Sequence, residues 1–587
     1  MIYDAPIRDM MFLLTEWIGL DKLNALPGYE EVDEDLIEAI LEEAGKFCST
    51  EVLAINQAGD QYGAVHEDGV VKTPPGFKDV YTRFIENGWT TIDANPDHGG
   101  QGLPKVVQNQ IDEMLGATNL SFKLYSELSH GAYQLLDALA PDDIRDRYLP
   151  KMVAGVWSGT MCLTEPHCGT DLGLLNSKAV PNDDGSYSIS GSKIFITSGD
   201  HDLTENILHL VIARIEGAPE GTRGISLFLV PKYLVAEDGT VGDWNNVTTA
   251  SIEHKMGIRG SATAALNFDG ATGYLIGEEN RGLASMFHMM NIERLTVGLQ
   301  GLGLAEIAYQ NALAYAQERL QSKAPGERAD ASKAADPIIH QPEMQRQLLR
   351  IRSQVEGARA LGILTGVNVD TMEKSDDEQA AADAAKTVAL LTPVIKAFFS
   401  DLGLECTLSA QQIYGGHGYV WEHGMEQLVR DCRITQIYEG TNEIQALDLV
   451  SRKLTGKTGE FADRFLATMT DELDADTGGP IIDAAIAAMQ RLAETTAWLR
   501  DRLVSDRAAA CGAAYPYLRL FALSIIGSIW AGIMQSIRDE EGAFYDTKRK
   551  LAHFYMLQVL PETESLAKSI VDGAEALAGF GVADFDS

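Results

Sequence analysis

The sequence predicts a mainly α fold with an inserted β-domain, and three observations predict it. Apolar residues recur every three or four positions from 31 to about 153, and again from 283 to about 454, which is the period of a helix with one buried face. Between them, from about 157 to 277, runs such as SYSISGSKIFITS, ILHLVIARI and GISLFLVPKYL alternate with DDG, GAPEG and EDGT turns, the pattern of short strands. Beyond 480 the helical period returns in PIIDAAIAAMQRLAETTAWLRDRL.

A chain of 587 residues exceeds one ordinary domain and has ample material for buried cores. The order of elements divides it into an N-terminal extension (1–34), an N-terminal helical domain (35–156), a middle β-domain (157–277), a helical-bundle domain (278–458) and a C-terminal helical domain (459–587). PDHGGQGLP (96–104) and SKAPGERADASKAADP (322–337) read as loops, and TDELDADTGGP (470–480) as a linker. The bundle has room for four long amphipathic helices.

Lys and Arg total 47 against 85 Asp and Glu, a net charge of −38, which repels polyanions and disfavours nucleic acid or an anionic membrane as partner. The six cysteines have no CxxC pair and no His at ligand spacing, so neither a metal site nor a disulfide framework is expected, and a reducing, cytoplasmic setting fits. MIYDAPIRDMMFLLTEW has early acids and no basic start before an apolar core, so a secretion signal is not expected and a mature start near Met1 is. Only LFALSIIGSIWAGIMQSI (520–537) runs long without charge. Its Ser, Gly and Gln content suits a buried helix better than a membrane span.

Three segments carry chemistry. CLTEPHCGTD (162–171) offers Thr164, Gly169 and Thr170 as short donors to a polar ring edge or carbonyl, although such clusters are commonly turns. KIFITSG (193–199) alternates Phe195 and Thr197 with core residues on a strand, as ordinary sheet packing also would. In QQIYGGHGYVWEHGMEQLVRDCRITQIYEGTNEIQ (411–445), a helix ending at Gly415 and Gly416 frees backbone amides for a diphosphate or ribose, or simply caps. Farther on, Glu439 stands beside the permissive Gly440 between apolar stretches, and a carboxylate in an apolar cleft can serve as proton acceptor.

With EHKMGIRGSAT (253–263), these segments agree in order and spacing with the acyl-CoA dehydrogenase family, which the chain resembles over roughly residues 35–455. The extension YDAPIRDMMFLL and residues 456–587 resemble those of a long bacterial branch. The resemblance implies an acyl-CoA dehydrogenase-like fold (N-terminal helical domain, middle β-barrel-like domain, four-helix bundle) plus a C-terminal helical domain. It implies FAD as cofactor, an acyl-CoA substrate, electron-transfer flavoprotein as acceptor and an obligate oligomer, since the family builds its FAD site from two chains; a homodimer is expected, with the added C-terminal domain on the surface that others use to form tetramers.

Residue by residue, the resemblance makes Glu439 the base that removes the α-proton. The family's thioester oxygen accepts bonds from the N–H of this glutamate and from a flavin hydroxyl, an oxyanion arrangement contributing ~3 kcal/mol per donor. Leu163 and Thr164 match flavin-ring contacts, Thr197 the hydroxyl near flavin N5, and Phe195 a position where some members carry Trp. Thr170 and Gly440 adjoin the substrate; Asn291 and Arg294 match residues that hold the CoA chain. Arg319 matches a contact to the neighbouring subunit's FAD diphosphate, Gln412, Gly415 and Gly416 the adenosine loop, and Thr441 a further cofactor contact.

Two departures bear on this. After Arg319 the chain reads LQSKAPGE instead of an aromatic-containing run, which weakens the expected inter-subunit adenosine contact. Glu293 occupies the helix position where some relatives, lacking the YEGT glutamate, place their base; with YEGT intact, Glu439 is favoured. An oxidase of the same fold is the nearest alternative, a DNA-associated relative is disfavoured by charge, and a Rossmann reading of GLQGLGLAE (298–306) lacks a preceding strand. Helix packing accounts better for those glycines. The substrate expectation spans 3-methylmercaptopropionyl-CoA and ordinary acyl chains.

Overall fold

A computed structural model of the chain describes residues 1–326, 330, 332–473, 479–577 and 579–586. Residues 327–329 and 331 of the expected loop, and 474–478 of the expected linker, lie outside the described residues. The chain resolves into two compact units that are discontinuous in sequence: Met1–Gly45, Lys105–Ala117 and Val297–Ser587 form one, and Lys46–Pro104 and Thr118–Thr296 the other.

The first unit is helical. Its long elements include Pro342–Lys374, Glu378–Ile413 and the part of Gly282–Glu318 that follows residue 296. The glycines of GLQGLGLAE serve helix contact: a Cβ at Gly298 would meet Ile395 Cγ2 at 2.5 Å, and one at Gly301 would meet the Phe399 carbonyl at 2.4 Å. The expected fourth long helix is instead broken into Met425–Arg433 and Asn442–Asp448. Between them the backbone takes positive φ at Glu439 (56°) and Gly440 (85°), a conformation no helix can propagate.

The C-terminal part adds Gly456–Asp471, Pro480–Ser505, Ala514–Ser536, Ala543–Gln558 and Glu562–Gly573. Ala514–Ser536 and Glu378–Ile413 are long and apolar enough to cross a membrane, yet their apolar windows are 83% and 89% buried within the protein. The uncharged stretch from 520 is thus a core helix, with Trp530 Nε1 donating to the Ser353 carbonyl at 3.1 Å.

A buried charge cluster joins three parts of this unit. Arg359 donates to Glu113 (2.6 Å), Glu306 (2.6 Å) and Asp9 (2.7 Å), and Lys548 donates to Glu356 (2.7 Å) and to Asp9. Burial works against the charged form of Asp9, but Lys548 and Arg359 outweigh it and hold its carboxyl below the usual range. The cluster reaches from the N-terminal extension to the C-terminal helices, distances in sequence that no periodicity reveals. Asp370 caps the Lys105–Leu139 helix from outside, accepting from the N–H of Lys105 (2.7 Å) and Val106 (3.0 Å).

The second unit contains the sheet. Strands β1 (Val65–Glu67) and β2 (Val70–Lys72) form a hairpin inside the region expected to be helical throughout. Its Asp68-Gly69 turn has positive φ at both residues (53° and 77°), the two-residue geometry that Asp-Gly favours. The main sheet comprises β3 (Trp157–Cys162), β4 (Lys178–Pro181), β5 (Tyr187–Thr197), β6 (Asn206–Ile215), β7 (Ile225–Pro231), β10 (Val247–Ile252) and β11 (Thr263–Ile276); β8 (Tyr233–Val235) and β9 (Val241–Trp244) pair separately. Because β7 pairs with both β11 and β6, the strands β11, β5, β4, β6 and β7 close into a ring. The middle domain is therefore barrel-like, filled by side chains such as Ile189, Val211, Phe228 and Leu266.

Two buried histidines in this barrel region make a pH prediction. His209 holds Thr160 Oγ1 at 2.8 Å and His201 holds Ser158 Oγ at 3.0 Å; burial pushes them down to about 3 and about 4. Each folded-state value lies below the unfolded one, so the stability they contribute is fully present above about 6.5 and is lost as pH falls toward the folded values. At pH 5 each ring would have removed about 2 kcal/mol. A His209→Gln variant should show a visibly flatter fall of Tm between pH 7 and 5 than wild type, measured by thermal melts across that range.

All six cysteines are free; five are buried and Cys511 is half-exposed. Burial pushes Cys162 and Cys432 up to about 12.

Candidate active site

On the sheet side, the loop after β3 is fastened to β5 by a buried ion pair. Lys193 Nζ donates to Glu165 Oε1 at 2.8 Å and to the Leu163 carbonyl at 3.0 Å, while the N–H of Asn176 and Ser177 donate to the same carboxylate. Burial opposes the charge on both partners; Lys193 and the hydrogen bonds nevertheless hold the Glu165 carboxyl below the usual range. The Ile194 N–H completes the attachment by donating to the Thr164 carbonyl at 2.9 Å. Glu165, His167 and Cys168 bring ligand atoms within 4.8 Å of one another, but the Glu165 oxygens are already engaged by Lys193 and two backbone amides.

The simple alternation expected on β5 fails at one point. Between Lys193 and Ile196, two β5 residues stand opposite one residue of β11, a bulge that leaves both Lys193 and Ile196 buried. Phe195 has φ 59° and is 60% exposed. A bulky residue with left-handed backbone and an uncovered ring costs roughly 1–3 kcal/mol, and such outliers cluster at ligand sites. Thr164 and Thr197 are half-buried, Leu163 is buried and Thr170 exposed. Tyr125 supports the EHKMGIRGSAT segment: its hydroxyl donates to the Gly260 carbonyl (3.0 Å) and accepts from the Ala262 N–H (2.9 Å).

On the Gly282–Glu318 helix, Asn291 is exposed and Arg294 half-buried, its guanidinium 5.9 Å from the Phe287 ring centre. Glu293 is 2% exposed, and a Cβ at Gly131 would come within 2.1 Å of its Oε1. The absence of a side chain at 131 is what makes room for that carboxyl.

In the helical unit, Glu439 is half-buried on its left-handed turn. The turn is clamped from behind: Gln445 Nε2 donates to the Glu439 carbonyl (2.8 Å), and the fully buried Lys396 donates to the Gly440 carbonyl (2.8 Å) and to Asn442 Oδ1 (2.9 Å). Thr441 is the N-cap residue of the following helix. Glycine is required at 440 both by its φ and because a Cβ there would meet Gln445 Nε2 at 2.9 Å.

Gly415 and Gly416 follow the helix that ends at Ile413, with Tyr414 as its C-cap, so Gly415 (φ 59°) supplies the left-handed residue after the cap. A Cβ at either glycine would meet nothing within 4 Å, open space that a ligand can enter. Gln412 and Arg319 are exposed, and the Arg319 carbonyl accepts from the Ile338 N–H at 2.8 Å.

Sequence reasoning missed Glu165, Lys193, Lys396, Asn442 and Gln445. The available signal was a lone charge inside an apolar run, as in TPVIKAFF and SKIFI, since a buried charge is kept only with partners.

Family models match nearly the whole chain: the acyl-CoA dehydrogenase N-terminal domain matches residues 34–156, the middle domain 160–271, the C-terminal domain 280–454, and an acetyl-CoA dehydrogenase C-terminal-like domain 463–580. The chain belongs to the acyl-CoA dehydrogenase family and is an oxidoreductase acting on acyl-CoA. It is 41% identical to 3-methylmercaptopropionyl-CoA dehydrogenase of Ruegeria pomeroyi, covering 98% of this chain and 99% of that protein. A butyryl-CoA dehydrogenase of Syntrophomonas wolfei is 34% identical over 95% of each chain. Among solved structures, Caenorhabditis elegans ACDH-11 in complex with C11-CoA matches with a TM-score of 0.77 at 19% identity, covering 97% of this chain and 95% of that one.

Proposed function

We propose that this chain carries out FAD-dependent α,β-dehydrogenation of an acyl-CoA thioester to the trans-2-enoyl-CoA, with Glu439 as the base. The observation that carries the assignment is the clamped left-handed turn at Glu439 and Gly440, a strained backbone of the kind that clusters at active sites. Glu293, the competing carboxylate, is 2% exposed, which favours Glu439 as the group that meets substrate.

The side chains fit the flavin cofactor. The uncovered Phe195 ring offers an apolar face, Thr164 and Thr197 offer hydroxyls, and open space lies before Gly415 and Gly416. FAD supplies the acceptor for the hydride that leaves the β-carbon. Glu439 takes the α-proton onto its carboxylate, and its backbone N–H bonds the thioester oxygen, where negative charge develops. Asn291, Arg294 and Thr170 hold the CoA chain, with Gly440 adjoining the reacting carbons, while Gln412, Thr441 and Arg319 contact the cofactor. Arg319, exposed, is assigned to the FAD of a second copy, and the working form is taken to be a homodimer in the cytoplasm.

The substrate proposed first is 3-methylmercaptopropionyl-CoA, supported by the 41% identity that extends over both chain ends. This places the enzyme in dimethylsulfoniopropionate degradation and, for straight chains, in fatty acid β-oxidation; electron-transfer flavoprotein takes the electrons. The likeness to butyryl-CoA dehydrogenases supports short straight chains as the second reading. One methylene changes discrimination by only ~1–3 kcal/mol, so the two are separated by measurement. In a panel of acyl-CoAs with an artificial acceptor, the thioether substrate is expected to give the highest kcat/KM; a higher value for butyryl-CoA would reverse the ranking, and peroxide release during turnover would mark an oxidase.

A further inference from the structure

The turn that carries Glu439 is not held by its own helices alone. Behind it, Lys396 grips the Gly440 carbonyl and Asn442 Oδ1, and Asn442 Nδ2 donates in turn to Asp401 Oδ1 at 2.7 Å. Asp401 Oδ1 also accepts from Gln436 Nε2 at 2.6 Å, on the other side of the turn. Its second oxygen accepts from the hydroxyl of Tyr515 at 2.7 Å. Tyr515 belongs to the Ala514–Ser536 helix, inside the segment 463–580 that matches the added C-terminal domain.

We propose that Tyr515 and Asp401 are positioning residues for the base, so that the added C-terminal domain sets the geometry of Glu439 through the chain Tyr515, Asp401, Asn442, Lys396 and the Gly440 carbonyl. The inference rests on Glu439 being the base. Lys396, Asn442 and Asp401 are all buried (0%, 2% and 8% exposed), so each depends on the next to stay satisfied. Asp401 spans the turn by holding Gln436 before Glu439 and Asn442 after it. Its other oxygen is held by the hydroxyl of Tyr515. Loss of that one bond leaves the carboxylate held through Oδ1 alone, free to tilt about that oxygen, and the turn loses part of the support behind a left-handed Glu439. Displacement of a reacting group by a fraction of an ångström is enough to slow chemistry without weakening substrate binding.

The test is anaerobic stopped-flow reduction of the FAD-loaded full chain by acyl-CoA, run on Tyr515→Phe, Asp401→Asn and Glu439→Gln. Tyr517→Phe is the control; its hydroxyl contacts Thr496 at 2.6 Å and lies outside the chain of bonds. Tyr515→Phe is expected to lower the limiting reduction rate about tenfold, with substrate Kd, FAD content and Tm unchanged and the isotope effect from α-deuterated substrate retained. Asp401→Asn, which sets an amide donor against Asn442 or Gln436, should lower it further. Tyr517→Phe should leave the rate as in wild type.

A normal limiting rate in Tyr515→Phe, with Glu439→Gln inactive, overturns the positioning role and leaves the base assignment standing. A slow Tyr515→Phe whose rate follows its lost FAD or lowered Tm also overturns it, since that marks structural support only. Rapid reduction in Glu439→Gln overturns the assignment of the base itself.

Discussion

Glu439→Gln is expected to keep its flavin and lose the reductive half-reaction by several orders of magnitude. The substitution preserves size and the backbone contacts at the turn, where Gln445 and Lys396 hold the main-chain carbonyls of residues 439 and 440. What it removes is the ability to accept a proton, and a positioned general base contributes typically 10²–10⁴-fold. Bleaching of the flavin on mixing with acyl-CoA measures the loss directly. Near-normal bleaching would hand the role to Glu293, whose own Gln variant is otherwise expected to reduce at close to the wild-type rate.

Arg359→Met should be the most destabilising single change among the described ion pairs. It leaves Glu113, Glu306 and one oxygen of Asp9 buried without their shared cation, and breaking a buried pair from one side costs about 3–5 kcal/mol. Arg359→Lys keeps the charge but loses the planar fork that serves three carboxylates at once, so it should fall between Met and wild type. Thermal melts of the three proteins at pH 7 decide this; a Met variant melting with wild type would mean that the acids take up protons and need no partner.

Much of the fold was legible from periodicity, because α and β segments bury faces with different repeats. The barrel strands from 157 to 276 and the long helices between 282 and 413 stand where the pattern predicts them. Local exceptions were not legible from the pattern. The hairpin at Val65–Lys72 is two strands of three residues, too short to establish a period of two, although Asp68-Gly69 was there to be read. The bulge at Phe195 and the break at Glu439 are set by what packs around them, Lys193 with Glu165 in one case and Lys396 with Asn442 in the other. These are the places where strain is stored, and strain is invisible to propensity.

The candidate site was legible for a different reason. Glu439 and Phe195, marked by motif, prove to be two of the eight described non-glycine residues with positive φ. The residues that hold them in place come from far along the chain, as Asp401 and Tyr515 do across 114 positions, and pairwise contact over that range leaves no local trace.

The lone accessible thiol at Cys511 gives the folded protein a natural handle. A maleimide fluorophore should attach with a stoichiometry of one and no engineering, because the other five sulfurs are walled off. The dye would sit four positions ahead of Tyr515, where its emission could follow motion of that helix while turnover proceeds.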